Sequence, residues 1–373
     1  MVEVQDVLAR YGPSYLESHP LSLQQRKAYD DILACRTAKL GGHLDTCPEC
    51  GERTPSYNSC RNRHCPKCQA YRRERWVEER SFDLLDVGYY HVVFTVPAAL
   101  NPVFYCNQEA CYSLLFRCAW ETVKAFASDP KYLGANTGAT SVLHTWGRRL
   151  QRHPHVHMIV PSGGLTATGK WRRSGKGFFA PVKAMSVVFR AKLLEGLKGA
   201  LPDLRFYGMA EELASPDAFA GLVSSLYDRP WVVYCKKPFR DAGCVLAYLG
   251  RYTHRVAISN SRIRSCDGGR VEFDYRDSKD GDRVKRCSLA ADEFIRRFLM
   301  HVLPRGFAKI RHYGILASRD KGARMALCKR LTGTPLRERV AVDPAAIVER
   351  MIGRPPGTCA RCGCKLVAGP LLC

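Results

Sequence analysis

Three groups of residues have types and spacings that could do chemistry. The first is the run His153-Pro-His155-Val-His157-Met-Ile-Val. In an extended strand alternate side chains share a face, so His155 and His157 project together while Val156 enters the other side. Two imidazoles on one sheet surface, secured by Val156, Ile159 and Val160, suit one divalent ion; a chance histidine pair would face solvent instead. The second group is Tyr248 and Tyr252, in a segment that reads as a helix starting near Asp241. Four residues apart on a helix, two phenols share a face roughly 6 Å apart. That placement permits two nucleophiles in succession, although spacing alone favours two core aromatics. Arg251, His254 and Arg255 beside them tilt the balance towards a phosphate site.

The third group is the cysteines. Cys35, His43, Cys47, Cys50, Cys60, His64, Cys65 and Cys68 are eight potential ligands within one short stretch, enough for two closed sites. Cys47-Pro-Glu-Cys50 and Cys65-Pro-Lys-Cys68 are C-x-x-C pairs, each of which can present two thiolates to a tetrahedral ion. One structural zinc is therefore expected on Cys47, Cys50, Cys65 and Cys68. Cys35, His43, Cys60 and His64 could complete a second site, or be buried thiols and solvent-facing imidazoles. In the tail, Cys359, Cys362, Cys364 and Cys373 could form a small zinc site or belong to a flexible end. The remaining cysteines, such as Cys111 and Cys118 in an apolar helical stretch, read as small buried hydrophobes.

The elements that must position these groups follow from periodicity. YYHVVFTVP (89–97) reads as a buried strand, and a helix is expected from about Phe104 to Ala127. TSVLHTWG (140–147) and HVHMIVPSGG (155–164) read as two strands of a hairpin. Helices near 185–200 and 210–226 precede the strand WVVYCKKP, and short strands are expected at VAISNSRI, RVEFDY and DRVKRCSL. YRRERWVEERSFDLLD (71–86) is helical and charged. Mixed strands, helices and hairpins favour an α+β fold with a largely antiparallel central sheet over a parallel doubly wound one. Gly164 to Lys170 lacks the Ser or Thr that would complete a phosphate loop, Trp171 standing there, and reads as a turn.

Composition narrows the partners. The 373 residues hold 58 Lys and Arg against 35 Asp and Glu, a net charge of +23, which points to a polyanion and away from small neutral metabolites. No run of about 18 apolar residues and no apolar leader is present, so a cytoplasmic, nucleoid-associated protein with no membrane partner is expected. The 18 cysteines then read as reduced thiols and metal ligands. Arg61 and Arg63 beside the cysteines, with Lys309, Arg311 and Tyr313 in the basic-aromatic stretch RGFAKIRHYG, could grip phosphates and stack unpaired bases, or form a solvated face.

These motifs resemble the HUH endonucleases, in which two histidines flank an apolar residue and tyrosine attacks a DNA phosphate. NSCRNRHCPKCQ, HPHVHMIVPSGGL, YLGRYTHRVAISNSRI and GFAKIRHYGILA, in that order over about residues 35 to 320, look like the two-tyrosine rolling-circle transposases of the insertion sequence ninety-one family. The resemblance implies that His155 and His157 bind Mg²⁺ or Mn²⁺ and that Tyr248 and Tyr252 form 5′-phosphotyrosine links. It also implies a third metal ligand, for which His144 in the neighbouring strand is the candidate. The expected activity is nicking and rejoining of single-stranded DNA at transposon ends and target, by transesterification without a nucleotide cofactor. A zinc-dependent DNA-binding regulator, or a replication initiator with the same chemistry, would use the same basic modules. The expected division is 1–85 for the zinc-binding, DNA-binding module, 86–300 for the catalytic domain and 301–373 for a basic carboxy-terminal region. Oligomeric state is left open.

Overall fold

The computed structural model describes residues 1–175, 180–239, 244–245, 248, 250, 256–277, 280–338 and 340–372. Tyr252, Arg251, Arg255 and Cys373 lie outside the described residues. In chain order the strands are β1 (Gly42–Thr46), β2 (Arg53–Tyr57), β3 (Tyr89–Thr95), β4 (Gly138–Trp146), β5 (Arg152–Pro161), β6 (Gly163–Leu165) and β7 (Trp171–Arg173). They continue with β8 (Val233–Phe239), β9 (Ile263–Ser265), β10 (Arg270–Asp277), β11 (Arg283–Ala290), β12 (Ile310–Gly314) and β13 (Val367–Leu372).

The central sheet has the order β12-β4-β5-β3-β8, and its strands pair antiparallel throughout. Period-two alternation separates its faces. Tyr90, Val92, Phe94, Leu143, Val156, Met158 and Val160 pack into the main core against the helices Gln108–Ser128, Val182–Ala200 and Pro216–Tyr227. The opposite face carries Tyr89, His91, His144, His155, His157 and Ile159, set by the pairs His144↔His155, His91↔Ile159 and Tyr89↔Pro161. On that face Val245 packs against Tyr89 and Ile159, with Tyr248 alongside, so Tyr248 lies on the histidine side of the sheet.

A second core joins the amino-terminal helices Val4–Ser18 and Leu23–Ala34 to the helix Ala291–Leu299 and the meander β11-β10-β9. Glu3 and Ser22 cap the two amino-terminal helices in capping boxes, which satisfies backbone donors that each helix start leaves over. A third sheet, β13-β1-β2, brings the carboxy-terminal strand back onto the cysteine-rich front.

Several expected elements change their bounds. The charged helix begins at Pro66, whose ring suits the first helical position, and ends at Ser81. The helix expected at 210–226 is a 3-10 segment, Gly208–Ala214, followed by a new helix starting at Pro216. VAISNSRI is a strand only at Ile263. Ala257 and Ile258 are instead buried in the second core, and the Asn260 side chain accepts from Val4 N–H at 3.1 Å, so the apolar run is a packed loop.

Burial also fixes the charge of two histidines away from the cysteines. His301 lies 3.1 Å from Thr145 Oγ1 and 3.0 Å from the Leu150 carbonyl, and burial pushes its pKa down to about 3. His312, beside Thr140 Oγ1, is pushed down to about 4 by burial and then by Lys321 and Arg80. An unfolded chain binds these protons below the ordinary value of 6.5, whereas the folded chain refuses them until far lower pH. Stability is therefore complete above that value and falls with acidification, by at most about 1.4 kcal/mol per pH unit for each group. Urea midpoints at fixed zinc should drop between pH 7.5 and pH 5.5. His301→Gln should lessen the drop; an unchanged drop would contradict the assignment.

Candidate active site and metal centres

His144, His155 and His157 converge because β4 and β5 are neighbours in register. Their nearest ring nitrogens all lie within 4.8 Å of one another. Ring centroids are 4.6 Å apart for His144 and His157, 4.8 Å for His155 and His157, and 5.4 Å for His144 and His155. His155 Nδ1 lies 2.6 Å from the His153 carbonyl; a proton there donates to that oxygen and turns Nε2 into the donor atom for a metal. His144 stacks on Trp146 at 4.8 Å, and Lys309 Nζ lies 4.8 Å from the Trp146 ring. The donor set is three imidazoles. Such a set could hold a divalent ion that accepts nitrogen ligands.

Tyr248 reaches this cluster. Its Oη lies 2.6 Å from His91 Nε2 and 3.4 Å from His157 Nδ1, and His91 Nε2 is 2.9 Å from His157 Nδ1. Burial pushes the His91 pKa down to about 3, with Lys236 adding to the effect, so the imidazole is neutral near pH 7 and retains a lone pair for the phenol. His91 was missed in the sequence because YYHVVFTVP reads as one buried apolar strand. Its signal was spacing: counted from Tyr89, His91 falls on the face opposite Tyr90 and Val92. Tyr234 on β8 meets the His91 ring edge-on at 6.3 Å.

The cysteines form two clusters whose membership departs from the expected one. Cys35, Cys60, Cys65 and Cys68 make the first, with Cys35–Cys68, Cys60–Cys68 and Cys35–Cys65 sulfurs each 3.6 Å apart. Around a tetrahedral zinc with bonds near 2.3 Å, sulfurs sit about 3.8 Å apart, whereas a disulfide needs about 2.05 Å. Cys65 caps the helix Pro66–Ser81 and Cys68 lies in its first turn, where the helix dipole favours thiolate. Hydrogen bonds from Cys60 and Cys65 pull the Cys68 pKa well below the ordinary thiol value.

Cys47 and Cys50 join Cys359 and Cys362 instead. The expected pairing of Cys47 and Cys50 with Cys65 and Cys68 on one ion is corrected here, because the β1–β2 hairpin carries its knuckle away from the helix that holds Cys65 and Cys68. His43 stands outside both clusters, 3.1 Å from Asp45. His64 is also outside; its Nε2 accepts from Leu303 N–H at 3.3 Å. Cys364 is in neither cluster, and its carbonyl accepts from Cys359 N–H.

The basic candidates divide. Arg63 donates to the Phe307 carbonyl at 2.6 Å and, with Arg72, borders both a cavity of about 260 Å³ that reaches Trp146 and Lys309 and a wider cleft of about 620 Å³ that reaches Arg61 and Arg305. Arg311 and Tyr313 lie on the other side of the sheet. Arg311 sits over Phe116 at 4.6 Å and donates to Ser113 at 3.0 Å, while Tyr313 stacks on Trp120 at 5.1 Å. Alternation along β12 turns them away from the histidine face, so the structure does not bring them to the centre.

The chain is similar to known transposases over most of its length. Residues 138–324 match the family model Y2_Tnp, described as "Putative transposase", and residues 7–96 match Zn_Tnp_IS91, the transposase zinc-binding domain. The chain is 43% identical to "Putative transposase y4qJ" of Sinorhizobium fredii over 96% of its own length and 92% of the relative's. It is 29% identical to the transposase for insertion sequence element IS801 of Pseudomonas savastanoi pv. phaseolicola, over 78% and 70% of the two chains. No solved structure matches. Among the described residues, no helix is long and apolar enough to cross a membrane.

The triad geometry makes a direct demand on metal binding. In a Mn²⁺ titration followed by electron paramagnetic resonance, His155→Ala and His157→Ala should each weaken binding at least about tenfold. Full affinity in either variant would place the ion elsewhere.

Proposed function

Because the chain belongs to the IS91-type transposases, which carry a zinc-binding domain and act on DNA, we propose that it nicks and rejoins single strands through tyrosine esters. The observation that carries this reading is the Tyr248 phenol oxygen lying 3.4 Å from His157 and 2.6 Å from His91, over three convergent imidazoles. His144, His155 and His157 would hold the divalent ion. When bound, such an ion polarises a phosphate oxygen and draws negative charge from the phosphorus.

The chain's own groups do the rest. A phenol near pKa 10 is a weak nucleophile at neutral pH, so its placement matters more than its basicity. His91 holds Oη against the histidine face. Attack by Oη forms a bond from tyrosine to the 5′-phosphate and breaks the bond to the 3′ oxygen; the phenol gives up its proton to solvent as the bond forms, and the departing 3′ oxygen takes one up from solvent and leaves as a hydroxyl. The phosphodiester energy stays in the ester, and a 3′-hydroxyl reverses the reaction to rejoin DNA. Tyr252 is the second nucleophile of this reading, on the strength of its i, i+4 spacing from Tyr248 and the family resemblance. Arg61, Arg63, Lys309 and Arg305 supply positive charge along the clefts between the front module and the sheet, the path proposed for the strand. Arg251 and Arg255, close to Tyr248 and Tyr252 in sequence, are the further positive charges of this reading. In the front module, Cys35, Cys60, Cys65 and Cys68 hold a structural zinc.

The test is covalent capture. With labelled single-stranded DNA from the element's end and Mn²⁺, the protein should yield a tyrosine-linked adduct. Tyr248→Phe, which keeps the ring and removes only the hydroxyl, should fold normally and form at least about 100-fold less adduct or leave only adduct at Tyr252, and the double Tyr248→Phe/Tyr252→Phe variant none. His91→Ala should slow adduct formation by about 10- to 100-fold, the usual cost of losing a supporting partner, without changing DNA affinity. Adduct formation by the double variant would place the nucleophile elsewhere.

A further inference from the structure

The sulfurs of Cys47, Cys50, Cys359 and Cys362 meet across more than 300 residues of chain. Cys47–Cys362 is 3.4 Å, Cys50–Cys359 is 3.6 Å and Cys50–Cys362 is 3.6 Å. These separations are too long for disulfides and close to the edge of a tetrahedral tetrathiolate site. The two contributing turns are copies of each other in geometry. In Cys47-Pro-Glu-Cys50-Gly51, Gly51 adopts φ 71° and its N–H donates to the Cys47 carbonyl at 3.0 Å; in Cys359-Ala-Arg-Cys362-Gly363, Gly363 adopts φ 79° and donates to the Cys359 carbonyl at 3.0 Å. A left-handed residue after the second cysteine closes such a turn at no steric cost only when it is glycine. Both knuckles therefore present two thiolates in the same way to one point between them.

We propose that Cys47, Cys50, Cys359 and Cys362 form a second tetrathiolate zinc site, which ties the segment 344–372 onto the front module. The zinc-binding family match ends at residue 96, so half of this site lies outside it. Surrounding contacts support a built junction. β13 pairs antiparallel with β1 from Gly42↔Leu372 to Thr46↔Val367, and the ideal Cβ of a side chain at Gly369 would come 2.5 Å from the Leu44 carbonyl oxygen. The helix Pro344–Ile352 lies against the helix Pro66–Ser81, where Arg350 pairs with Glu78. Four soft thiolates in tetrahedral array select zinc among common divalent ions, and a metal that closes so long a loop gains from the chain entropy it removes.

The test counts metal and does not depend on DNA cleavage, so its failure is separate from failure of the proposed activity. Full-length protein carrying His155→Ala and His157→Ala, so that the histidine face takes no zinc, and purified under reducing conditions with zinc should carry two zinc ions per chain by elemental analysis. In that background Cys359→Ser/Cys362→Ser and Cys47→Ser/Cys50→Ser should each carry one, and Cys65→Ser/Cys68→Ser should lose the other. One zinc in the parent chain, or two retained in its tail variant, overturns the proposal. Should a variant fail to fold, alkylation of the wild type read by mass spectrometry decides the matter. Cys359 and Cys362 should be protected with zinc and become reactive together with Cys47 and Cys50 when a chelator is added. Equal reactivity with and without zinc, or disulfides among the four, would refute the site.

Discussion

Val156, Met158 and Val160 can reach the helical layer only if His155 and His157 point the other way. A slip of one residue in β5 would bury both imidazoles in the main core and turn three apolar side chains out. The hydrophobic gain on one face thus holds the register on the other, and the pairing that seals the core also sets His144 opposite His155. His91 follows from the same rule on β3. The histidine face is thus held in place by packing residues on the other side of the same strands.

Charge is arranged in layers around this face. Burial keeps His91 neutral in a chain whose net charge is +23, while guanidinium and ammonium groups such as Arg63, Arg72 and Lys309 stand at the cleft borders. A polyanion is drawn by the outer layer. A neutral His91 adds no positive charge beside the histidine face that would repel a bound cation.

The strands and their faces were legible because alternation is a local property. HVHMIV and YYHVVF declare their faces in six residues each, and the α+β class with an antiparallel sheet follows from hairpin spacing. The ends of elements were less legible, since Pro66 and Pro216 start helices in stretches where periodicity alone suggests continuity. Cysteine grouping was misjudged for a topological reason. Nearness in sequence joined Cys47 and Cys50 to Cys65 and Cys68, whereas the shared glycine after Cys50 and Cys362, replaced by Gln69 after Cys68, was the cue that two knuckles are alike and the third turn heads a helix. Arg311 and Tyr313 were read from composition, which carries no face; their places in β12 turn them towards Ser113 and Trp120.

The meeting of the two knuckles also sets an order of events during synthesis. Cys47 and Cys50 leave the ribosome about 310 residues ahead of Cys359 and Cys362, a lag of roughly 15 to 60 s at 5–20 residues per second. Through that interval the β1–β2 hairpin lacks its third strand and half of its sulfur ligands, while the helices and central sheet behind it are already available to fold. The front module is therefore begun before the central sheet and completed after it, and a nascent chain cannot present the finished module until Cys359 and Cys362 have been made.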